Sequence, residues 1–259
     1  MQPLFFVQNN HVRHLTIPVA RFARAHGVCL EDRSSYVGFD PQDCGVDWAQ
    51  FHPVLPYGSL QFLRKLKETP SLAPYVHHDE ERFSARTWSE QLPCMLNADG
   101  RVVLAKDVPA VLDEAPAHVR PLQEDKAFTA KLCTTSQWQE LVLARNIRED
   151  LLCWVSSAKD IFAEWRLWLV GGHIVGASRY REAGVLSLEQ GAPADVQSLV
   201  KAVAATWTPA PCVGVDVART PLGLKVIEFN PIHGCGWYAA DVDAVLQAWL
   251  QWSVQNMHR

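Results

Sequence analysis

No two cysteines of this 259-residue chain stand in a Cys-x-x-Cys spacing. The seven (Cys29, Cys44, Cys94, Cys133, Cys153, Cys212 and Cys235) are odd in number and scattered, which argues against a zinc site or a disulfide framework. Free thiols in a reducing compartment are the simplest account. Basic charge is not in excess either. The formal net charge is −4, so a general nucleic-acid binder is not expected. No uninterrupted apolar run is long enough to span a membrane. Met1 to Val7 lacks the basic segment of a secretory leader, and a cytoplasmic location is expected. From Arg101 to Val170 there is no glycine, which excludes a glycine-rich loop anywhere in that span. What is present is apolar bulk, 48% of the residues, enough for one large domain or two small ones.

Along the chain, Pro3 to Gln8 reads as a buried strand, Ile17 to His26 as a helix and Val28 to Glu31 as a second strand. That order suggests a small α/β unit. Val54 to Gly58 reads as a further strand, followed by Leu60, Leu63 and Leu66 at helical spacing. Residues 70 to 100 look irregular, with His77-His78-Asp79 in an exposed loop, because adjacent residues rarely ligate one ion. Arg101 to Leu104 is a strand and 105 to 118 a connector. Ser136 with Gln139 suggests a capping box on a helix running to about Ile147, and Leu151 to Val155 a strand. Glu164 to Val170 and His173 to Tyr180 flank Gly171-Gly172, a two-residue turn that predicts a hairpin. In it Arg166 shares a face with Trp168, and Leu167 shares the other with Trp165 and Leu169. Amphipathic helices are expected around Val196 to Val203 and Val242 to Trp249.

The run Val226-Ile227-Glu228-Phe229-Asn230-Pro231 carries the most chemistry. Residues i and i+2 of a strand share a face, so Glu228 and Asn230 project together where Pro231 ends the ladder. Cys212 to Val217 reads as a strand with one isolated acid, Asp216, and Arg219 to Gly223 as a turn. An antiparallel pair would set Asp216 across from Glu228. Two carboxylates and a carboxamide on one face suit a hard divalent cation. The bland alternative is a set of ordinary outward residues on a half-buried sheet.

These segments together resemble the ATP-grasp superfamily over about Leu96 to Trp249. Arg120-Pro121 stands where the family has Lys-Pro at a strand end. Glu164 to Val170 with Gly172 resembles its acid-x-Arg hairpin. Asp216 resembles the first metal acid, and Glu228-Phe229-Asn230-Pro231 the Glu-x-Asn-Pro metal strand. Arginine at 120, with Asp125-Lys126-Ala127-Phe128, Ser178 and Tyr180, resembles the bacterial and phage clade in which arginine replaces the second nucleotide-binding lysine. Two departures stand out. Gln123 to Thr129 holds the place of the phosphate loop without glycine, and Trp154-Val155-Ser156 replaces the acid after the hinge strand.

The resemblance implies an α+β ATP-grasp fold of two subdomains gripping ATP between antiparallel sheets, with an α/β unit ahead of it. The expected boundaries are 1–85 for that unit and 86–259 for the ATP-grasp domain, divided into 86–152 and 153–259. It implies ATP and Mg²⁺, two ions being expected and Mn²⁺ compatible. Asp216, Glu228 and Asn230 are the expected metal ligands. Arg120, Lys126, Lys106, Trp154, Val155, Glu164 and Arg179 are the nucleotide candidates, Glu164 for the ribose, and Arg166 with Arg120 the catalytic pair. The implied activity joins a small-molecule or peptide carboxylate to an amine, less readily a thiol, through an acylphosphate. A phosphotransferase with a hydroxyl acceptor and a nucleotide-binding protein without turnover are the alternatives, and a homodimer is compatible. Within Ile232 to Tyr238, His233 reads as base or bystander and Cys235 as a buried thiol.

Overall fold

In the computed structural model, which describes residues 1–9, 11–34, 39–123 and 127–256, the first apolar run becomes β1 (Gln2–Gln8). It is followed by α1 (Arg13–Ala25), β2 (Cys29–Arg33), β3 (Phe51–Tyr57) and α2 (Leu60–Lys67). The three strands form a parallel sheet in the order β2-β1-β3. Helix α1 starts four residues ahead of the expected Ile17 and contains Pro18. So near the N-terminus the proline removes only one backbone bond, and the buried Val19, Phe22 and Ala23 outweigh that loss.

The stretch expected to be irregular holds a short helix, α3 (Ala85–Gln91), capped by Ser84, whose hydroxyl accepts from the Thr87 amide. Next come β4 (Arg101–Leu104), α4 (Val108–Leu112), β5 (Ala117–Pro121), β6 (Lys131–Cys133), α5 (Thr135–Arg145) and β7 (Leu152–Ser157). Their antiparallel sheet runs β4-β7-β5-β6. The capping box on α5 is Thr134 with Gln137, two residues ahead of the expected pair. Gln137 N–H donates to Thr134 Oγ1 at 3.4 Å and Thr134 N–H to Gln137 Oε1 at 3.0 Å. Strand β6 ends at Cys133, so the first hydroxyl after it takes the cap. Strand β7 lies wholly in this sheet, which places the passage to the next sheet after Ser157 and not at 152.

The third sheet is built from β8 (Ala163–Val170), β9 (His173–Glu182), β10 (Val185–Gln190), β11 (Cys212–Thr220) and β12 (Gly223–Pro231), in the antiparallel order β10-β9-β8-β11-β12. Helix α6 (Ala194–Thr206) separates the two hairpins and α7 (Val242–Asn256) follows them. Gly171 and Gly172 both have positive φ, +56° and +81°, as the β8–β9 turn requires. The two faces of β8 divide as expected. Trp165, Leu167 and Leu169 enter a core with Val196, Val200 and Val203 of α6. Trp168 enters a second core with Val245, Leu246 and Trp249 of α7 and with Phe5, Phe22, Leu55 and Tyr57 of the first unit. Among the described residues no helix is long and apolar enough to cross a membrane.

Candidate functional site

Register explains the site. Asp216 lies directly across from Arg166 on one side and from Glu228 on the other, so all three share a face of the sheet. Glu164 and Asn230, two residues along from Arg166 and Glu228, join them. Arg166 donates to Asp216 through Nε at 2.6 Å and Nη2 at 2.7 Å, a two-pronged ion pair with both residues buried (6% and 2% exposed). Asn230 Nδ2 lies 3.3 Å from Glu228 Oε1 and 3.5 Å from Asp216 Oδ2, so the three expected metal ligands do converge. Burial pushes the Asp216 carboxyl up to about 6 against the pull of Arg166, with Glu228 and Glu164 adding to the rise. Burial also works against the Arg166 charge, but Asp216 more than offsets it and holds the guanidinium well above its ordinary value.

Across a cleft of about 820 Å³, strand β5 brings Arg120 to the same place. Its Nη1 donates to Glu228 Oε2 at 3.3 Å, and its guanidinium lies over the Trp88 ring, 4.8 Å from the centroid. Glu164 also lines the cleft, with Oε2 accepting from Tyr180 at 2.7 Å and Oε1 from Arg181 at 3.1 Å. Burial, with Asp216 and Glu164 nearby, raises the Tyr180 phenol far above its ordinary range, so it stays a donor. Tyr238 stacks on Tyr180 and packs against the Arg166 guanidinium.

Other expected residues lie elsewhere. Arg179 pairs across from Trp165 and so faces away from Glu164 and Arg166. It binds Glu182 at 3.1 Å and Glu189 at 2.6 Å. Irregularities at Trp168/Leu169 and at Glu164/Trp165 shift the hairpin register, and Arg181 takes the position opposite Glu164. Lys106 is exposed on the turn after β4 and is not in the cleft wall. Trp154 is buried under the 97–100 turn, its indole N–H donating to the Asn97 carbonyl at 3.0 Å. Val155 lies in the core behind β5 and β7, and the strand's backbone is paired on both edges. Lys126 lies outside the described residues. His118, Lys131, Lys159 and Arg181 line the cleft without having been singled out. For His118 the signal was its alternation with Arg120 along β5.

Among the described residues His233 and Cys235 form no catalytic pair. His233 is fully buried. Its Nε2 accepts from the His77 amide at 3.0 Å, so Nδ1 carries the proton toward the Pro56 carbonyl at 3.0 Å. Cys235 Sγ accepts from Trp168 Nε1 at 3.2 Å, and burial lifts the thiol to about 11. His77 and His78 are not in an exposed loop as expected: His78 is 4% exposed, and His77 packs on His233 and Trp252.

Among the described residues no three His, Cys, Asp or Glu side chains form a metal cage. The site therefore offers two carboxylates and one carboxamide, hard oxygens with few protein ligands. That donor set fits Mg²⁺, which keeps water and substrate oxygens in its shell. Around it the described cleft walls carry five basic side chains (Arg120, Lys131, Lys159, Arg166, Arg181) against three acidic ones, a balance that suits a polyanion.

Known structures share this fold. The crystal structure of D-cycloserine synthetase DcsG is similar over 98% of this chain and 99% of its own, with a TM-score of 0.67 at 16% identity. A RimK domain protein ATP-grasp from Sphaerobacter thermophilus covers 97% and 99% at TM-score 0.64 and 16% identity. D-alanine–D-alanine ligase from Bacillus anthracis covers 98% of each chain at TM-score 0.62 and 11% identity. No curated protein matches by sequence. The family described as an ATP-grasp domain, the third family of its clade, matches residues 65–249, and the chain belongs to that family.

Proposed function

We propose that this chain is an ATP- and Mg²⁺-dependent ligase that joins a small-molecule or peptide carboxylate to an amine in the cytoplasm. The reading rests on one observation: Asp216, Glu228 and Asn230 converge on one sheet face, and Arg120 reaches Glu228 from the opposite sheet. The structures similar to it include proteins named as synthetase and ligase, and we carry that class to this chain. Residues 1–85 serve as the preceding α/β unit, and the ATP-grasp part divides where β7 ends.

In this reading Asp216, Glu228 and Asn230 hold Mg²⁺, which when bound neutralises phosphate charge. Arg120 binds the phosphate oxygens with a planar, permanently charged fork. Arg166, locked by Asp216, keeps its charge beside the reacting groups without moving. Glu164 with Tyr180 and Arg181 presents an ordered carboxylate to the ribose hydroxyls. A substrate carboxylate oxygen attacks the γ-phosphorus, the bond to the β,γ-bridging oxygen breaks, and ADP leaves with the electron pair. The amine nitrogen then attacks the acyl carbon, phosphate departs, and the nitrogen loses a proton. The walls contribute position and charge, and no side chain acts as nucleophile.

The test is ADP release that requires both a carboxylate and an amine, with the amide identified by mass. Glu228→Gln, nearly isosteric, should keep nucleotide binding partly intact while slowing ADP formation by about a hundredfold or more. Undiminished ADP formation by that variant would sink the reading. A phosphorylated hydroxyl product without amide would replace it with a phosphotransferase.

A further inference from the structure

Away from the cleft, and sharing none of its wall residues, a recess of about 420 Å³ lies between the end of the first unit and the segment 208–211 that leads into β11. We propose that this recess binds a small organic anion, with one carboxylate or phosphate group against Lys67, Arg82 and His78. Three observations carry this. First, His77 and His78 both line the recess, and neither Nε2 has a hydrogen-bond partner among the described residues. His78 is 4% exposed, so water does not readily make up the loss.

Second, the cations on its wall outnumber the acids. Lys67 and Arg82 stand against Asp79 alone. Among the described residues neither cation is in a salt bridge, although Asp79 lies near enough to feel the charge of both. Lys67 Nζ donates to the His78 carbonyl at 2.8 Å, and Arg82 donates to the carbonyls of Pro209 at 2.7 Å and Thr208 at 2.8 Å. Those uncharged acceptors fix both heads at the wall, and the carboxylates of Asp79 and Glu80 offset only part of the charge that Lys67, Arg82 and Arg64 bring to it. Third, Val76, Pro209, Ala210 and Pro211 make the rest of the wall apolar, which a bare ion would not use and an organic body would. A metal does not fit the same histidines, because among the described residues no third ligand of the His, Cys, Asp or Glu type joins them.

This site is independent of the ligase reading, and its test needs no turnover. The full chain, with ¹⁵N-labelled histidine, is titrated with inorganic phosphate or with succinate. The ring nitrogens of His77 and His78 should shift saturably with at least one of them, and the tighter probe tells a phosphate group from a carboxylate. His78→Gln and Lys67→Gln should each weaken that binding by about tenfold or more, the scale of one hydrogen bond to a charged group. Lys67 is on the exposed side of α2, so its variant keeps the fold if the histidine variant does not. Arg120→Ala, which changes the cleft, should leave the titration as it was. No saturable shift with either probe at millimolar concentration would overturn the proposal. So would shifts that survive Lys67→Gln and vanish in Arg120→Ala.

Discussion

At the scale of single residues, the cleft separates charge from shape. Arg120 is clamped between the Trp88 ring and Glu228, so its fork is oriented by the protein itself. Arg120→Ala should weaken ATP binding more than Arg120→Lys, since lysine keeps the charge and loses the second prong. Equal affinities in all three proteins, measured calorimetrically, would remove Arg120 from the phosphate site. His233 supports a different prediction. Burial lowers its pKa to about 3, with His77 and His78 adding to the fall, so the folded protein binds that proton far less readily than the unfolded chain does. Stability from this residue is therefore complete above the unfolded value and is lost as pH falls from about 6.5 toward 3. Between pH 7 and 5 the loss from His233 alone should be about 2 kcal/mol, and urea unfolding of His233→Gln should show a shallower decline over that window. The pairing of Asp216 with Glu228 was legible because alternation and a short turn decide it. That Arg166 would spend its fork on Asp216 was not, since a mid-strand arginine shows only that it needs some anion.

At the scale of elements, hairpins read well and edges read poorly. The β8–β9 and β11–β12 pairs announce themselves through a glycine turn and period-two alternation. Their irregularities do not, which is why Arg179 was expected where Arg181 stands. Strand β10 escaped notice because it is an edge, with Val185, Leu186 and Leu188 all exposed and no buried face to impose a pattern. Helix α3 escaped because seven residues bury only Ala85 and Trp88. The turn before β4 is better determined than its sequence suggests. A β-carbon on Gly100 would collide with the Trp154 indole, and that indole N–H is already bound to Asn97. Gly100→Ala should therefore destabilise the protein by about 1–3 kcal/mol. An unchanged denaturation midpoint would show that Trp154 can move aside.

At the scale of the whole molecule, the first unit is fastened to the end of β12 by backbone contact. Gly58 N–H donates to the His233 carbonyl at 2.8 Å, and Tyr57 donates to the Cys235 carbonyl at 2.7 Å. A β-carbon on Gly234 would meet the Gly58 oxygen at 2.6 Å. Gly234→Ala should thus part the two, lowering stability by about 1–3 kcal/mol and speeding amide exchange along β3. Exchange along β3 as slow as in the parent protein would show that this seam tolerates a side chain.

The core that joins Phe5, Phe22 and Leu55 to Leu246 and Trp249 couples residues from opposite ends of the chain. During synthesis the first unit leaves the ribosome long before α7 exists, and one of its apolar faces has nothing to cover it. Translation that stalls before α7 emerges should leave a nascent chain with that face open to chaperones, however complete its leading strands. Helix α7, made so long after it, would be the one that completes the first unit.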